Sequence, residues 1–284
     1  MILFPPCKIN LGLHITRKRT DGFHDLETVF YPLPLRDALE AISTPVSAQG
    51  FPLHAGSGSG TVDLHLTGLL VQGDAADNLC VKAWHLLKKD YPQLPPVQLH
   101  LHKAIPMGAG LGGGSSDAAF TLQLLNTKYR LGISTEQLLD YALQLGSDCP
   151  FFILNKPCVA TGRGEVMEAI PLDLSGYSFL LVYPEVHINT GWAFQQITPA
   201  PGARPLAEIV QEPVERWKDQ LVNDFEAPVC ALHPALQQVK DTLYAGGAVY
   251  ASMTGSGSSF YGIFPAGKVP EGLFPAYKSY ILAS

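Results

Sequence analysis

The sequence predicts a mixed α/β fold, in which strands and helices follow one another along the whole chain. Residues 8–15 and 97–102 alternate apolar and polar side chains, which is typical of strands with one buried face. Residues 118–125 and 135–145 carry helical patterns instead. The chain has 284 residues, of which 46% are hydrophobic. This length suffices for two domains or one large one, and it should bury ~75% of the unfolded surface.

The first strand, over residues 8–15, divides its side chains cleanly between two faces. The apolar face carries Ile9, Leu11, Leu13 and Ile15, and the other face carries Lys8, Asn10, Gly12 and His14. A cation, an amide and an imidazole on one face fit a binding site and a solvated edge equally well. This segment alone therefore leaves both interpretations open.

Further elements follow from local signals. We predict a hairpin of strands 39–42 and 61–66, and a helix over 74–90. The helix over 135–145 has Ser134 as its N-cap, Gln137 in a capping box and Gly146 as its C′ residue. After Asp148 and Pro150 we expect an apolar strand over 151–154.

In the C-terminal half of the chain we expect a strand over 178–183, a helix from Thr190, and a hairpin of strands 248–253 and 259–264 around a glycine turn. Residues 43–60 predict a surface loop rich in Gly, Ser and Pro.

The glycine-rich segment over residues 105–119 is the most informative stretch of the sequence. Five of the nine residues from Gly108 to Ser116 are glycine, and two are serine. Glycine permits close approach of backbone N–H groups to a ligand, and a helical pattern follows at once. We predict Ser115 or Ser116 as the N-cap of that helix. The free N–H groups and the dipole of its N-terminus predict a phosphate site.

Two other phosphate motifs disagree with this segment. A Walker A loop requires a lysine, and the glycine run contains none. Gly108, Gly110 and Gly113 match G-x-G-x-x-G, but a dinucleotide-binding fold needs a buried parallel strand before it and an acid at a strand end about twenty residues later. Residues 97–102 alternate instead, and residues 134–136 open a helix. A simple turn would need only one or two glycines.

Composition narrows the class of protein. The net charge of −6, without a basic cluster, argues against a nucleic-acid partner. The five cysteines are odd in number and form no C-x-x-C pair, which indicates reduced thiols and a cytoplasmic location. No apolar run approaches ~18 residues, so we expect no membrane partner. We also expect the protein to act on a small-molecule substrate and to be a monomer or a weak homodimer.

Residues 106–119 read P-x-x-x-G-L-G-G-G-S-S-x-A-A, which resembles the phosphate loop of the GHMP kinases, the family of galactokinase, homoserine kinase and mevalonate kinase. Further blocks in the same order resemble the branch of this family that phosphorylates a cytidine diphosphate alcohol in isoprenoid precursor synthesis. These blocks are residues 7–11, 21–24, 77–79, 146–151, 162–165, 223–226 and 254–257. Several blocks in the right order are far more specific than any one of them.

The resemblance implies a kinase that uses ATP and Mg²⁺. It implies Asp148 as the catalytic base and Lys8 as its partner. The implied substrate-binding residues are Asn10, Phe23, His24 and Phe194, with cytosine held by Phe23 and His24 and stacked on its other face by Phe194. Trp192 is the alternative to Phe194, because this region matches loosely.

The resemblance also implies which residues bind ATP. They are Asn78, Pro106, Gly108, Gly110, Leu111, Gly112, Gly113, Gly114, Ser115 and Ser116. It assigns no metal ligand, and Ser116 and Asp117 remain candidates. Phe23 stands where the pattern has Tyr, which keeps an aromatic face and loses a hydroxyl. Cys7 stands where the pattern has Ala, directly before Lys8.

The fold implied by the resemblance has two domains. A ribosomal protein S5 domain 2-like ATP-binding domain would span residues 1–157, and a ferredoxin-like domain would span residues 158–284. Another GHMP kinase, of the mevalonate or homoserine type, would lack a cytidine pocket, so residues 21–24 discriminate against it. A non-catalytic nucleotide-binding protein is the alternative from another class, and the presence of both Lys8 and Asp148 argues against it.

Overall fold

The computed structural model describes residues 1–43, 62–71 and 73–283. These residues form two compact units, and the chain enters each unit more than once. The first unit contains residues 1–6, 36–105 and 112–155, and the second contains residues 7–35, 106–111 and 156–284. The linear division near residue 157 stays a prediction. The expected loop over 43–60 lies, apart from Ser43, outside the described residues.

The chain combines strands and helices along its length, as the sequence predicts. In chain order the strands are β1 (Ile2–Leu3), β2 (Pro6–Lys18), β3 (His24–Arg36), β4 (Ala38–Ser43), β5 (Val62–Gly68), β6 (Val97–Lys103), β7 (Cys158–Thr161), β8 (Val166–Ala169), β9 (Tyr177–Tyr183), β10 (Tyr250–Met253), β11 (Phe260–Pro265) and β12 (Lys278–Ala283). The helices are α1 (Leu79–Asp90), α2 (Gly113–Tyr129), α3 (Thr135–Leu145), α4 (Cys149–Leu154), α5 (Thr190–Gln195), α6 (Leu206–Ile209), α7 (Glu226–Leu232) and α8 (Pro234–Ala245).

The first unit is a four-stranded sheet in the order β1-β4-β6-β5, with helices α1 to α4. β4 and β6 are antiparallel, whereas β5 and β6 are parallel. The hairpin predicted for residues 39–42 and 61–66 is therefore wrong, because these strands lie on opposite sides of β6. The physical reason is that β5 reaches β6 through α1, and a helical crossover joins parallel strands.

Helix α3 matches its prediction in its bounds and its N-terminal capping box, but Gly146 is the C-cap rather than the predicted C′ residue. The Ser134 hydroxyl accepts the N–H of Gln137, and the Gln137 side chain accepts the N–H of Ser134. The helix ends at Leu145, and Gly146 is its C-cap. Local capping chemistry decides both ends of this helix, which is why the sequence predicts it so well.

Two other local predictions in the first unit are wrong. Helix α2 is capped by Gly112, not by Ser115 or Ser116, because Gly112 adopts φ 70°, a left-handed conformation that serine avoids. Residues 149–154 form helix α4 where a strand was expected. Pro150 lies in the first turn of α4, where its missing N–H costs no hydrogen bond.

The second unit contains two four-stranded sheets, in the orders β2-β3-β7-β8 and β10-β11-β9-β12. The β10–β11 hairpin and the start of α5 at Thr190 are confirmed. Both faces of the first part of β2 are buried, so that Lys8 is 4% exposed and Asn10 is 2% exposed. The polar face of this strand is therefore interior rather than solvated. Within the described part of the chain, no helix has the length and apolar character needed to cross a membrane.

Candidate active site

The glycine loop, residues 104–112, connects β6 to α2 through a series of left-handed glycines. Gly108, Gly110 and Gly112 have φ values of 63°, 78° and 70°. A Cβ atom on Gly110 would lie 2.1 Å from the carbonyl oxygen of Thr254, so only glycine fits there. The Thr254 hydroxyl donates to the Gly110 carbonyl at 3.2 Å. The glycine turn of residues 254–257 therefore packs against the loop and fixes its path.

The start of α2 combines free backbone donors with an unusual serine. The helix has 17 residues, and no side chain caps its first N–H groups. The Ser116 hydroxyl is buried and has no hydrogen-bond partner among the described residues. A long helix with free N–H groups attracts an anion. Phosphate binding by the loop and by this helix remains a prediction.

A buried ion cluster, formed by Asp37, Lys103 and Asp117, lies at both ends of the glycine loop. The Lys103 ammonium donates to Asp117 Oδ2 at 2.6 Å and also to Asp37 Oδ2. Asp37 Oδ1 accepts the N–H groups of Ala104 and Ile105 at 2.6 and 2.8 Å. Asp37 thus fixes the chain as it leaves β6, and Asp117 lies in the second turn of α2. The cluster positions both segments that lead into the loop.

Burial sets the protonation of this cluster. Burial raises the pKa of Asp117 to about 7, against the lowering effect of Lys103. Burial also opposes the charge of Lys103, but Asp117 and Asp37 outweigh it and raise the pKa of the ammonium. Our sequence reasoning missed the cluster. The available signal was Lys103 itself, which continues the buried alternation of Val97, Leu99 and Leu101 along β6.

Lys8 and Asn10 are adjacent on the same face of β2. The Lys8 ammonium donates to Asn10 Oδ1 at 2.7 Å and lies 5.0 Å from the ring centroid of Phe30. Asn10 Oδ1 also accepts the N–H of Gly255 at 3.0 Å, and Asn10 Nδ2 donates to Thr28 Oγ1 at 2.9 Å. These contacts tie the lysine to the turn that holds the glycine loop. Contact between Asn10 and substrate stays a prediction.

Asp148 lies at the junction of α3 and α4. Its backbone is helical, with φ −83°, and its side chain does not cap α4. Lys8 belongs to the second unit and Asp148 to the first. Convergence of the two side chains on a substrate hydroxyl stays a prediction. Asn78, expected to bind ATP, is the N-cap of α1, where its Oδ1 accepts the Cys80 N–H at 2.9 Å.

An aromatic patch, formed by Phe23, His24 and Phe194, lies within the second unit. The His24 and Phe194 rings are stacked, with centroids 4.9 Å apart and an interplanar angle of 19°. Phe194 also packs edge-to-face with Phe225, with ring centroids 4.9 Å apart. The Phe23 side chain is exposed. The structure therefore brings His24 and Phe194 together, while stacking of either Phe194 or Trp192 on a base stays a prediction.

The metal-ligand candidates differ in their surroundings. Asp117 Oδ2 accepts from the Lys103 ammonium, whereas Asp117 Oδ1 is buried and has no hydrogen-bond partner among the described residues. Ser116 has a buried, unpartnered hydroxyl. No group of three or more His, Cys, Asp or Glu side chains within the described ranges is arranged to hold a metal ion.

Comparisons with known proteins agree with this architecture. The model for the GHMP kinases N terminal domain matches residues 78–156, and that for the GHMP kinases C terminal domain matches residues 206–275. The chain belongs to the GHMP kinase family and is a phosphotransferase with a two-domain GHMP kinase fold.

Individual relatives narrow the comparison. A protein of Bacteroides thetaiotaomicron, named 4-diphosphocytidyl-2-C-methyl-D-erythritol kinase, is 50% identical over 272 residues, which cover 95% of each chain. A crystal structure of 4-(cytidine 5'-diphospho)-2C-methyl-D-erythritol kinase aligns with a TM-score of 0.79 and 29% identity, covering 99% of this chain and 98% of the other. A mevalonate kinase structure aligns at 0.70 with 13% identity over 99% and 98% of the chains, which shows the fold alone.

Proposed function

We propose that this chain transfers the γ-phosphoryl group of ATP to the tertiary 2-hydroxyl of 4-diphosphocytidyl-2-C-methyl-D-erythritol, in the non-mevalonate pathway of isoprenoid precursor synthesis. The observation that carries the proposal is 50% identity, over 95% of the chain, to a relative named for this substrate. The exposed Phe23 ring gives further support, because a nucleobase can stack on an accessible aromatic face.

Asp148 and Lys8 carry the proton transfer in this proposal. The substrate oxygen attacks the γ-phosphorus, a new O–P bond forms, and the bond between that phosphorus and the oxygen of ADP breaks. Asp148 accepts the hydroxyl proton, which a poorly acidic tertiary alcohol does not release by itself. Lys8, oriented by its 2.7 Å bond to Asn10, stabilises the carboxylate and the developing oxyanion.

The glycine loop holds the phosphates in this proposal. Backbone N–H groups between Gly110 and Ser116 would face the phosphate oxygens, since glycine leaves room for close approach. Mg²⁺ bound with ATP would neutralise part of the phosphate charge. The Ser116 hydroxyl and Asp117 Oδ1, both buried and without a hydrogen-bond partner among the described residues, are the candidate oxygen ligands for that ion.

The aromatic patch selects the substrate. Cytosine offers a flat face for stacking and an amino edge that donates hydrogen bonds. A ring nitrogen of neutral His24 can accept from that edge. Mevalonate and homoserine have no base, so the patch would contribute nothing to their binding.

A coupled assay for ADP release tests the proposal. ATP is combined in turn with the cytidine diphosphate alcohol, free CDP, mevalonate and homoserine. We expect turnover with the cytidine diphosphate alcohol alone, and CDP should compete with that alcohol but not with ATP. Phosphorylation of mevalonate or homoserine, with no inhibition by millimolar CDP, would establish the alternative kinase type. ATP binding without turnover of any alcohol would establish a non-catalytic protein.

A further inference from the structure

Arg163 covers one face of the exposed Phe23 ring. Its guanidinium carbon lies 5.0 Å from the ring centroid. The Phe23 side chain remains 54% exposed, so the ring has free surface for a further partner. A planar guanidinium over an aromatic face is attracted by the ring quadrupole and stacks on it.

The turn that carries Arg163 is held in place by its own contacts. The Arg163 N–H donates to Glu165 Oε2 at 2.5 Å, and its Nε lies 3.4 Å from Glu165 Oε1. Gly162 adopts φ 67°, and its carbonyl accepts the N–H of Leu26 at 2.7 Å. The turn between β7 and β8 is thereby attached to the beginning of β3, the strand that follows Phe23. This attachment fixes the backbone of the turn beside the start of β3, and the guanidinium of Arg163 lies over the ring.

The Phe23 backbone is held by hydrogen bonds as well, but its ring has no polar group. The Phe23 N–H donates to Asp21 Oδ1 at 3.1 Å, and its carbonyl accepts the N–H of Arg19 at 2.8 Å. A phenyl ring offers no hydroxyl that could be tethered by a hydrogen bond. An exposed ring of this kind must lose side-chain freedom when a base stacks on it. A cation held over one face would reduce that loss.

We propose that Arg163 is a positioning residue for nucleobase binding: it holds the Phe23 ring from one face and leaves the opposite face for cytosine. This inference rests on the proposed function, and it adds a residue that acts through Phe23 rather than by touching the substrate. A cation–π contact at an exposed site changes an equilibrium constant about 2- to 5-fold. The base should therefore bind about 2- to 5-fold more weakly when the guanidinium is removed.

A double-mutant cycle tests the proposal. Wild-type turnover of the cytidine diphosphate alcohol is measured first, because its absence would refute the proposed function independently of Arg163. Arg163→Met is then compared in the native background and in Phe23→Leu. We expect Arg163→Met to raise the KM for the alcohol and the Ki for CDP about 2- to 5-fold in the native background only. The kcat and the KM for ATP should not change.

Two further variants separate positioning from other roles. Arg163→Lys keeps the cation and should recover part of the lost affinity. Arg17→Met removes a neighbouring exposed arginine that does not lie over the ring, and it should leave both constants unchanged. An equal rise of KM in the native and Phe23→Leu backgrounds would show that Arg163 contacts the substrate directly and would overturn the proposal. An unchanged KM in Arg163→Met would overturn it too.

Discussion

Two charged clusters of this molecule use the same chemistry in opposite surroundings. In the buried ion cluster, Lys103 lies between Asp37 and Asp117, and no side chain of the three is more than 4% exposed. Near Phe23, Arg17 and Arg19 both pair with Asp25, and the Arg17 side chain is 72% exposed. The distances in the two clusters are similar, so geometry alone does not distinguish them.

The difference between the clusters lies in what replaces a lost partner. At the surface, water solvates an unpaired charge, and a single ion pair contributes ~0–1 kcal/mol. In the interior nothing replaces the partner, so its removal leaves a charge that is expensive to bury. The buried ion cluster is therefore needed to hold the two segments that lead into the glycine loop. The exposed cluster can vary without loss of the fold.

The largest effect is expected from Asp148→Asn. This residue belongs to neither cluster, so the change sharpens the comparison by separating an effect on catalysis from the effects of the two clusters on stability. We expect kcat to fall by roughly 10²–10⁴, the usual span for a general base, while the fold and ATP binding are retained. Steady-state kinetics and ATP titration measure this. Asp140→Asn, on the exposed face of α3, is the matched control and should keep wild-type turnover. Near-normal turnover in Asp148→Asn would remove Asp148 from the role of base.

The next largest effect is expected from Lys103→Met, which breaks the buried ion cluster directly. Asp37 and Asp117 would lose the buried cation that both contact, so the free energy of unfolding should fall by ~3–5 kcal/mol. Arg17→Met, the same change at the surface, should cost only ~0–1 kcal/mol. Urea denaturation of both variants measures the difference. Equal losses would show that burial does not decide the value of these ion pairs, and the comparison would fail.

Lys103 and Arg163 differ in how far the sequence could predict their contacts. Lys103 lies on the apolar face of a clearly alternating strand, so its burial could have been inferred from β6 alone. The contact of Arg163 with Phe23 could not, because it depends on how β7 and β3 pair in three dimensions. The sequence thus indicates which side chains are buried and need a hydrogen-bond or ion-pair partner. Which residue becomes that partner depends on the three-dimensional fold.

The difference between local signals and contacts made by the fold also explains which helices and strands the sequence predicts wrongly. Helix α3 was predicted to the residue because Ser134, Gln137 and Gly146 form its ends locally. The start of α2 was missed because a left-handed glycine, not a serine hydroxyl, begins it. The supposed 39–42 and 61–66 hairpin failed because the parallel partner of β5 lies beyond α1. The proposed catalytic residues came from resemblance, since spacing alone cannot bring Lys8 and Asp148 together.

A smaller effect is expected from Phe194→Ala, which tests whether the aromatic patch governs substrate affinity. Stacking contributes ~1–3 kcal/mol per base, so the variant should bind the cytidine diphosphate alcohol roughly 5- to 150-fold more weakly. ATP affinity should not change, and His24→Ala should behave likewise. Phe4→Ala removes an exposed aromatic side chain outside the aromatic patch and should have no effect on either ligand. Unchanged KM values for the alcohol in Phe194→Ala would favour Trp192 as the stacking residue.

The smallest effect concerns the pH dependence of stability, which follows from the acid in the buried ion cluster. Burial raises the pKa of Asp117 from 3.8 to about 7, so the native protein keeps a proton that the unfolded chain has already released. Because the native state then binds more protons, the free energy of unfolding falls as pH rises through this window. The fall extends from about pH 4 to about pH 7 and levels off above about pH 7, where both states have released the proton; between about pH 6 and about pH 7 it is on the order of 1 kcal/mol.

Asp117→Asn places a neutral group at this position and should flatten that fall, as measured by urea denaturation at several pH values. Asp21→Asn is the surface control. The hydrogen bond from Arg19 lowers the pKa of Asp21, so this carboxylate titrates only in acid and its loss should leave the slope near neutral pH unchanged. If wild type and Asp117→Asn showed the same slope, Asp117 would be ionised throughout. Lys103 would then hold two carboxylates at once, and the cluster would carry a net negative charge next to the predicted phosphate site.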